Sequence, residues 1–304
     1  MSNLPRHRTS LCLPLFAAIA LAAAAPGLLI AGPACAAETA IVETPQPDLI
    51  KRLPAPIAAA KKMTVAVAVG SPPDDFRNEA GQIDGWEIDI LRTAAQALGL
   101  ELDLRPTTFD TLIPGLQAKR FDAAVGQMGV TEIREKVVDM IGTLKGNELF
   151  AALSDSDIKV NSLDDICGRT VATTRGSREV EFATAHQPRC TELGKEPINI
   201  LTFSDGTSAA DSLISKRSDL FWIGSTAVSY FVAQSKGRTK VVGSYTDLSY
   251  IGIAMPKGSE LAPVLAAAVQ HLIDDGTYQK IVQKWGLEAG TIKTAPLNPT
   301  GTPT

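Results

Sequence analysis

An alternation of strand and helix patterns constrains the fold of this chain more than any other feature. Strand patterns occur at three places: apolar residues alternate with others at 65–69 and 100–104, and a short apolar run lies at 121–125. Each run is followed by a segment of helical character, at residues 88–98, 109–117 and 132–138 respectively. Three strand–helix pairs in succession predict an α/β domain with a doubly wound, mainly parallel sheet.

The second half of the chain repeats this pattern. Strand-like runs occur at residues 170–173, 198–203, 219–223 and 240–242, with helices predicted between them. A last strand is predicted at 250–255, followed by amphipathic helices at 261–273 and 277–285. A chain of 304 residues has room for one large or two modest domains of this kind.

The N-terminus has the pattern of a secretory signal peptide at residues 1–37. Basic residues precede an apolar stretch at 11–25, and small residues follow it. Pro14 interrupts the apolar stretch and Pro26 and Gly27 follow it directly, which argues against a membrane anchor. Cys35 suggests a lipoprotein cleavage site as an alternative, but Gly32 stands where such sites usually carry leucine. Ordinary cleavage after residue 36 or 37 is therefore expected.

Charge and composition limit the classes of function. The chain is 45% hydrophobic and 20% charged, as is usual for a soluble globular protein. Without residues 1–37 it has 27 basic and 33 acidic residues, a formal charge of −6. Proteins that bind nucleic acid carry clustered basic residues, so no nucleic-acid partner is predicted.

Two cysteines remain after the signal peptide, Cys167 and Cys190. In an exported protein an isolated pair is most simply a disulfide. Metal binding is the alternative, but only His186 lies near in sequence and the spacing fits no zinc pattern. No metal or cofactor is predicted.

A strand, a glycine-containing turn and the start of a helix meet at residues 126–134. Gly126 and Gly129 leave backbone N–H groups open to a ligand, and Thr131 is a good N-cap for the helix. Arg134, one turn into that helix, can form bidentate hydrogen bonds to a carboxylate. The segment predicts a carboxylate site, with a purely structural role as the alternative because such segments are common.

Several short motifs resemble one protein family. They are GWEIDI at 85–90, FDTLIPGLQ at 109–117, VTEIR at 130–134, LDDICG at 163–168, GTYQKI at 276–281 and KWG at 284–286. In their order and spacing, from about residue 48 to 299, the chain resembles the bacterial extracellular solute-binding proteins of family 3. These are periplasmic receptors of polar amino acid ABC transporters, and many members carry a disulfide where Cys167 and Cys190 lie.

The resemblance implies a periplasmic binding protein type II-like fold, with two doubly wound lobes joined by two crossover strands. Lobe 1 would comprise residues 38–146 and 247–304, including a C-terminal tail, and lobe 2 residues 147–246. An amino acid or related small carboxylate would bind in the cleft between the lobes, and hinge closure would present it to an ABC membrane permease. The implied protein is an extracytoplasmic monomer and not an enzyme.

The resemblance also implies the ligand contacts. In lobe 1 they are Phe109, Gln127, Gly129, Thr131 and Arg134, and in lobe 2 Thr174, Gly176, Ser177 and Arg178. Arg134 would anchor the ligand carboxylate and Phe109 would form a wall against the ligand side chain. The lobe 2 turn would cap the carboxylate from the other side.

Four positions depart from the family pattern. Gly224 stands where the family usually has the aspartate that binds the ligand ammonium, and Ser71 and Asp74 replace aromatic residues. Arg178 replaces a small hydroxyl residue. Either Asp74 or Asp75 meets the ammonium, or the ligand lacks an ammonium and has a second anionic group for Arg178. A third interpretation makes these residues a solvated rim, with water in place of the aspartate.

Two other functions stay open at the level of sequence. Some proteins that resemble this family are periplasmic cyclohexadienyl dehydratases. Such an enzyme needs a general acid in the cleft, and Asp74 is the candidate for that acid. An orphan sensor receptor is the other. The three histidines, His7, His186 and His271, form no readable catalytic triad.

Overall fold

The computed structural model describes residues 41–300, apart from the side chain of Asp247. The signal peptide predicted at 1–37, including Cys35, lies outside the described residues. Within residues 41–300, no helix combines the length and the apolar character needed to cross a membrane.

The elements of the first region follow the predicted alternation. They are α1 (Pro47–Ile50), α2 (Ala55–Ala60), β1 (Lys62–Ala68), β2 (Phe76–Arg77), β3 (Ile83–Asp84), α3 (Trp86–Ala97), β4 (Glu101–Thr107), α4 (Leu112–Gln117), β5 (Ala123–Val125) and α5 (Glu132–Glu135). Helix α3 ends where Gly99 takes a left-handed φ of 64°. The N–H of the next residue, Leu100, then donates to the carbonyl of Ala95 at 2.8 Å.

The remaining elements continue the alternation. They are β6 (Val138–Leu153), β7 (Thr170–Thr174), α6 (Arg178–Glu192), β8 (Asn199–Phe203), α7 (Gly206–Ile214), β9 (Leu220–Gly224), α8 (Ser225–Gln234), β10 (Thr239–Pro256), α9 (Ala262–Asp274) and α10 (Thr277–Lys284). Helix α7 begins at Asp205, whose carboxylate accepts from the Ser208 N–H at 2.8 Å.

One sheet runs through both regions. Within residues 41–300, every strand but β2 and β3 joins it, in the order β4-β1-β5-β10-β6-β9-β7-β8. β1 pairs in parallel with β4 and β5, and β7 pairs in parallel with β8 and β9. The long strands β6 and β10, of 16 and 18 residues, pair antiparallel with each other in the middle. The predicted α/β fold with two crossover strands is confirmed.

Each half of the sheet has apolar cores. Ile88 and Leu91 of α3 pack with side chains of α9 in one core of lobe 1, and Leu112 and Leu116 of α4 are buried in another. In lobe 2 the rings of Phe150 and Trp222 stack with centroids 4.6 Å apart. These apolar cores hold the strands of the two halves of the sheet, on either side of the long strands β6 and β10.

Two predicted elements are wrong in extent. β10 joins the strands predicted at 240–242 and 250–255 into one. Helix α5 ends at Glu135 instead of residue 138, where β6 begins.

The predicted disulfide between Cys167 and Cys190 is confirmed, with Cα atoms 5.5 Å apart. The metal alternative does not fit, because the two sulfurs are bonded to each other and His186 Nε2 lies 2.8 Å from a carboxylate oxygen of Asp164. The bond ties the start of β7 to the last turns of α6.

Removing this disulfide is expected to destabilise the protein. Closing a loop of this length contributes about 3 kcal/mol in the chain-entropy model, so Tm falls by about 6–12 °C in Cys167→Ala/Cys190→Ala. Thermal unfolding with and without dithiothreitol measures this. The reductant should lower the Tm of the wild type and leave the double variant unchanged; equal values for both proteins without reductant would contradict the assignment.

Candidate functional site

A cavity lies between the two halves of the sheet. Its volume is about 40 Å³. Nine of the predicted contact residues line it: Ser71, Phe109, Gln127, Gly129, Arg134, Thr174, Ser177, Arg178 and Gly224. Three predicted contact residues, Asp74, Thr131 and Gly176, lie outside its wall. That any of them touches a ligand stays a prediction.

Hydrogen bonds join the two lobes along the cavity. The N–H of Gly206 donates to the Ser71 hydroxyl at 3.0 Å, and the Thr207 hydroxyl donates to the carbonyl of Gly70 at 2.8 Å. The amide of Gln127 donates to the Thr226 hydroxyl at 2.6 Å. The two sides of the cleft are therefore in contact, and the cleft is closed.

The loop at residues 126–131 forms the lobe 1 side of the cavity. The N–H of Gln127, which has a left-handed φ of 55°, donates to the Glu87 carboxylate at 2.6 Å. At Gly126 a Cβ would lie 2.7 Å from the Cβ of Ala68, so the close approach of the loop to β1 requires glycine. The loop is thus held by the first turn of α3 and packed on the end of β1.

Arg134 is the buried cation of this loop. Only 6% of the residue is exposed, and its Nη1 donates to the carbonyl of Gly129 at 2.9 Å. The Cζ atom lies 5.5 Å from the centroid of the Phe109 ring, a cation–π distance. Among the described residues no carboxylate lies within salt-bridge distance of Arg134. Burial lowers its pKa, so the cavity holds a cation that an anionic ligand would neutralise.

Thr131 and Gly176 have supporting positions. The hydroxyl of Thr131 accepts from the N–H of Arg134 at 3.2 Å and so caps the short helix α5. At Gly176, with a φ of 74°, a Cβ would lie 3.0 Å from the Cβ of Asp110 in lobe 1. The turn between β7 and α6 therefore needs glycine to approach the opposite lobe.

Asp74 and Asp75 are not brought to the cavity. Both are fully buried, and Oδ1 of Asp74 accepts from the indole Nε1–H of Trp86 at 2.5 Å. Neither carboxylate lines the cavity, so the geometry does not favour the interpretation that one of them binds a ligand ammonium. The position of Asp74 and Asp75 three and four residues after Ser71 did not reveal that their side chains point away from the cavity.

Asp74, Asp75 and Glu87 form a buried carboxyl cluster beneath the binding loop. Burial raises the pKa of Asp74 to about 8, against smaller opposing effects of Thr226 and Trp86. Burial raises the pKa of Asp75 well above its usual range, and the neighbouring Glu87 and Asp74 raise it further. Burial also raises the pKa of Glu87, whereas the hydrogen bonds from Asp75 and Gln127 oppose the rise.

Glu148 is a cavity residue that the sequence reasoning missed. It lies on β6 with no exposed surface, and it forms an ion pair with Arg178 and accepts from the Thr246 hydroxyl. Burial raises its pKa to about 7, although the charge of Arg178 acts in the opposite direction. The signal available in the sequence was an acid directly before the apolar run 149–153 of this strand.

Arg178 extends from α6 across the cleft. Besides its pair with Glu148, its Nη1 donates to the Ser249 hydroxyl at 3.1 Å. Its guanidinium also lies against Gly129, where an added Cβ would be 2.6 Å from Cζ. Arg178 is 9% exposed, so it is part of the cavity wall and not a solvated rim residue.

Gly224, the position of the missing aspartate, faces Gln127. A Cβ there would lie 1.9 Å from Nε2 of Gln127, so the space is taken by that amide. In the sheet, Gly224 on β9 is paired with Glu148 on β6.

One surface cluster has donors suited to a metal ion. Nε2 of His271 lies 3.6 Å from Oε1 of Glu43 and 3.5 Å from Oδ2 of Asp275. Because all three groups are partly solvated and acidic surface clusters are common, the geometry assigns no metal here.

A closed cleft between two α/β lobes, with a buried arginine in its wall that has no ion pair within residues 41–300, defines the class of two-lobed solute-binding proteins. Comparison with known families agrees. The family model for bacterial extracellular solute-binding proteins, family 3, matches residues 63–288. The chain therefore belongs to this family, and the resemblance seen in the sequence is confirmed.

Several individual relatives are named as amino acid-binding proteins. The arginine-binding protein ArgT of Corynebacterium glutamicum is 33% identical over 259 residues, 85% of each chain. Among solved structures, an ancestral arginine-binding protein bound to arginine has a TM-score of 0.67 and 28% identity, covering 74% of this chain and 98% of that one. An ancestral amino acid-binding protein, AncCDT-1, described as a precursor of cyclohexadienyl dehydratase, has a TM-score of 0.68 and 26% identity, covering 76% and 97%.

Proposed function

We propose that this protein is an extracytoplasmic receptor that binds an amino acid or related small carboxylate between its lobes and delivers it to an ABC membrane permease. The observation that carries the proposal is the state of Arg134, which is buried in the cavity wall and forms no ion pair with any described residue. Such a cation is stabilised by an anionic ligand that brings its own charge. The names of the relatives supply the class of ligand and the permease partner.

The ligand carboxylate would be held from both lobes. Arg134 donates from lobe 1 beside Gly129 and Gln127, and Thr174 and Ser177 offer hydroxyl and backbone groups from lobe 2. Phe109, stacked near Arg134, forms the wall against the ligand side chain. A ligand that touches both lobes favours the closed state, and this differential affinity drives the motion.

The hinge is proposed near residues 146 and 246, where the chain passes between the lobes. Gly146 pairs with Ser249, and the register between β6 and β10 shifts between Tyr245 and Ser249. A β-bulge weakens the ladder locally, so bending is expected there. No second copy of the chain is needed to complete the cleft, in keeping with a monomer.

A thermal-shift screen of the purified protein tests the proposal. The probes are L-amino acids, their amine-free counterparts and dicarboxylates. A ligand at 100 times its Kd stabilises the folded state by about 2.7 kcal/mol, which is a measurable increase in Tm. Stabilisation by at least one amino acid or carboxylate supports the receptor; no response to any of them would contradict it.

Restoring the aspartate at Gly224 is expected to strengthen amino acid binding. Because an added side chain displaces the Gln127 amide, the substitution is made in a Gln127→Ala background. Gln127→Ala/Gly224→Asp should bind L-arginine roughly tenfold more tightly than Gln127→Ala alone, since a charged hydrogen bond to the ammonium is added. Calorimetric titration measures this, and equal affinities would mean that residue 224 does not face the ligand.

The second candidate is a cyclohexadienyl dehydratase-like enzyme. AncCDT-1 is described as a precursor of such an enzyme. Asp74 is buried outside the cavity, but Glu148 is an acid in the cavity wall with a pKa raised to about 7. Incubation with prephenate and arogenate, followed by ultraviolet absorbance, separates the two functions: turnover favours the enzyme, and binding without turnover the receptor.

A further inference from the structure

The family aspartate is missing at Gly224, yet the cavity contains a carboxylate directly beside that position. Glu148 on β6 is the cross-strand partner of Gly224 on β9. Side chains of directly opposed residues in an antiparallel pair project from the same face, with Cβ atoms about 4.5–5.5 Å apart. A carboxylate on β6 therefore reaches the region that an aspartate on β9 would occupy.

We infer that Glu148 binds the α-ammonium of the ligand, in place of the aspartate that is missing at Gly224. The inference rests on the proposed function, because it assumes an amino acid in this cavity. It makes the ligand an amine-bearing amino acid and not a simple carboxylate.

The charges in the cavity wall favour this assignment. Arg134 has no acidic partner among the described residues, whereas Arg178 is already paired with Glu148. A zwitterionic ligand adds one carboxylate, which neutralises Arg134, and one ammonium, which needs an acid. Glu148 is completely buried and held by Arg178 and Thr246, so its carboxylate is fixed in position before the ligand enters.

The other acids of the cavity wall fit this role less well. Asp205 is the cap of α7, and its oxygens accept from the Ser208 N–H, the Ser208 hydroxyl and the Ser204 hydroxyl at 2.7–2.9 Å. Glu179 lies in the first turn of α6, next to Arg178, and is not part of the β6–β9 pair. It is the control, since it is a buried acid of the same wall, 5% exposed, whose charge also acts on Glu148 and Arg134.

The test compares each amino acid with its amine-free counterpart. The pairs are L-arginine with 5-guanidinopentanoic acid, and L-glutamate with glutaric acid, titrated by calorimetry. Glu148→Gln should weaken the binding of the amino acid by roughly 10- to 100-fold, the range expected for a lost charged hydrogen bond, and change the amine-free acid less than about threefold. Glu179→Gln should leave the preference for the amine unchanged.

A second variant keeps the test decisive if Glu148→Gln fails to fold. Glu148→Gln leaves the buried Arg178 without its partner, which alone destabilises a protein. Glu148→Gln/Arg178→Gln removes both charges, so the same loss of amine preference is expected there relative to Arg178→Gln. Adding Gly224→Asp to Glu148→Gln/Gln127→Ala, where the Gln127 amide no longer fills the space, should restore the preference, because the carboxylate then enters from the neighbouring strand.

The outcomes separate the two proposals. An equal loss for the amino acid and the amine-free acid, or a selective loss in Glu179→Gln instead, would overturn the role of Glu148 while leaving the receptor intact. If the wild type binds amine-free acids as tightly as amino acids, the inference also fails. If it binds neither class, the proposed function itself fails.

Discussion

Arg134→Ala is expected to abolish carboxylate binding, with affinity for L-arginine or any other stabilising amino acid falling by about 1,000-fold or more. Truncating one partner of a buried, hydrogen-bonded charge pair costs about 2–5 kcal/mol or more. Arg134 forms no ion pair among the described residues, although the charges of Glu181 and Glu179 act on it, so its loss leaves the ligand carboxylate unpaired. Calorimetric titration measures the effect.

Two controls belong with this variant. Lys136→Ala removes an exposed cation two residues away and should bind as the wild type does. Arg134→Lys keeps the charge but loses the planar fork, so an intermediate affinity is expected. Because Arg134 also bonds to Gly129, circular dichroism and Tm must show that the alanine variant is folded. Retained affinity in a folded Arg134→Ala protein would rule out Arg134 as the anchor.

Asp74→Asn is expected to stabilise the protein at high pH. The pKa of Asp74 is raised to about 8 in the folded protein from 3.8 for the free group. Between these values the unfolded chain gives up a proton that the folded chain keeps, so the free energy of unfolding falls as pH rises from about 4 to 8. The stability lost in this window is on the order of a few kcal/mol.

Thermal unfolding at pH 5 and pH 9 measures this effect. Asn cannot ionise and its amide oxygen can still accept from Trp86, so the gain in Tm over the wild type should be larger at pH 9, by about 5–10 °C. Asp48→Asn, at a fully solvated carboxylate, should show no such difference. Glu87 raises the pKa of Asp74 and Asp74 raises that of Asp75, so the comparison reports the loss of the Asp74 carboxyl from this cluster. The same gain in Tm at both pH values would contradict a neutral Asp74.

Strand and helix order could be predicted from the sequence because apolar periodicity records which side chains are buried. The extent of β10 could not. Residues 243–249 of that strand are mostly polar, so the pattern ends there, but β6 supplies a ladder of backbone hydrogen bonds that continues on both sides of the register shift. The short helix α5 was predicted too long because Val137 and Val138 continue the apolar pattern, although they lead into β6.

The site was predicted where a motif fixes the local backbone. Thr131 caps Arg134, and the glycines of the loop lie where close packing requires them. Asp74 shows the limit: its position follows from the sequence, but the direction of its side chain is set by Trp86, twelve residues on. Glu148 shows a second limit of prediction from the sequence. Its neighbour Gly224 is 76 residues away along the chain and lies beside it only in the sheet.

The most direct test of this account is a crystal structure of the protein with the amino acid that raises its Tm most. The account predicts the ligand between the lobes, with its carboxylate on Arg134 and its ammonium on Glu148. A ligand bound outside the cleft, or one in the cleft that leaves Arg134 without an anionic partner, would contradict it.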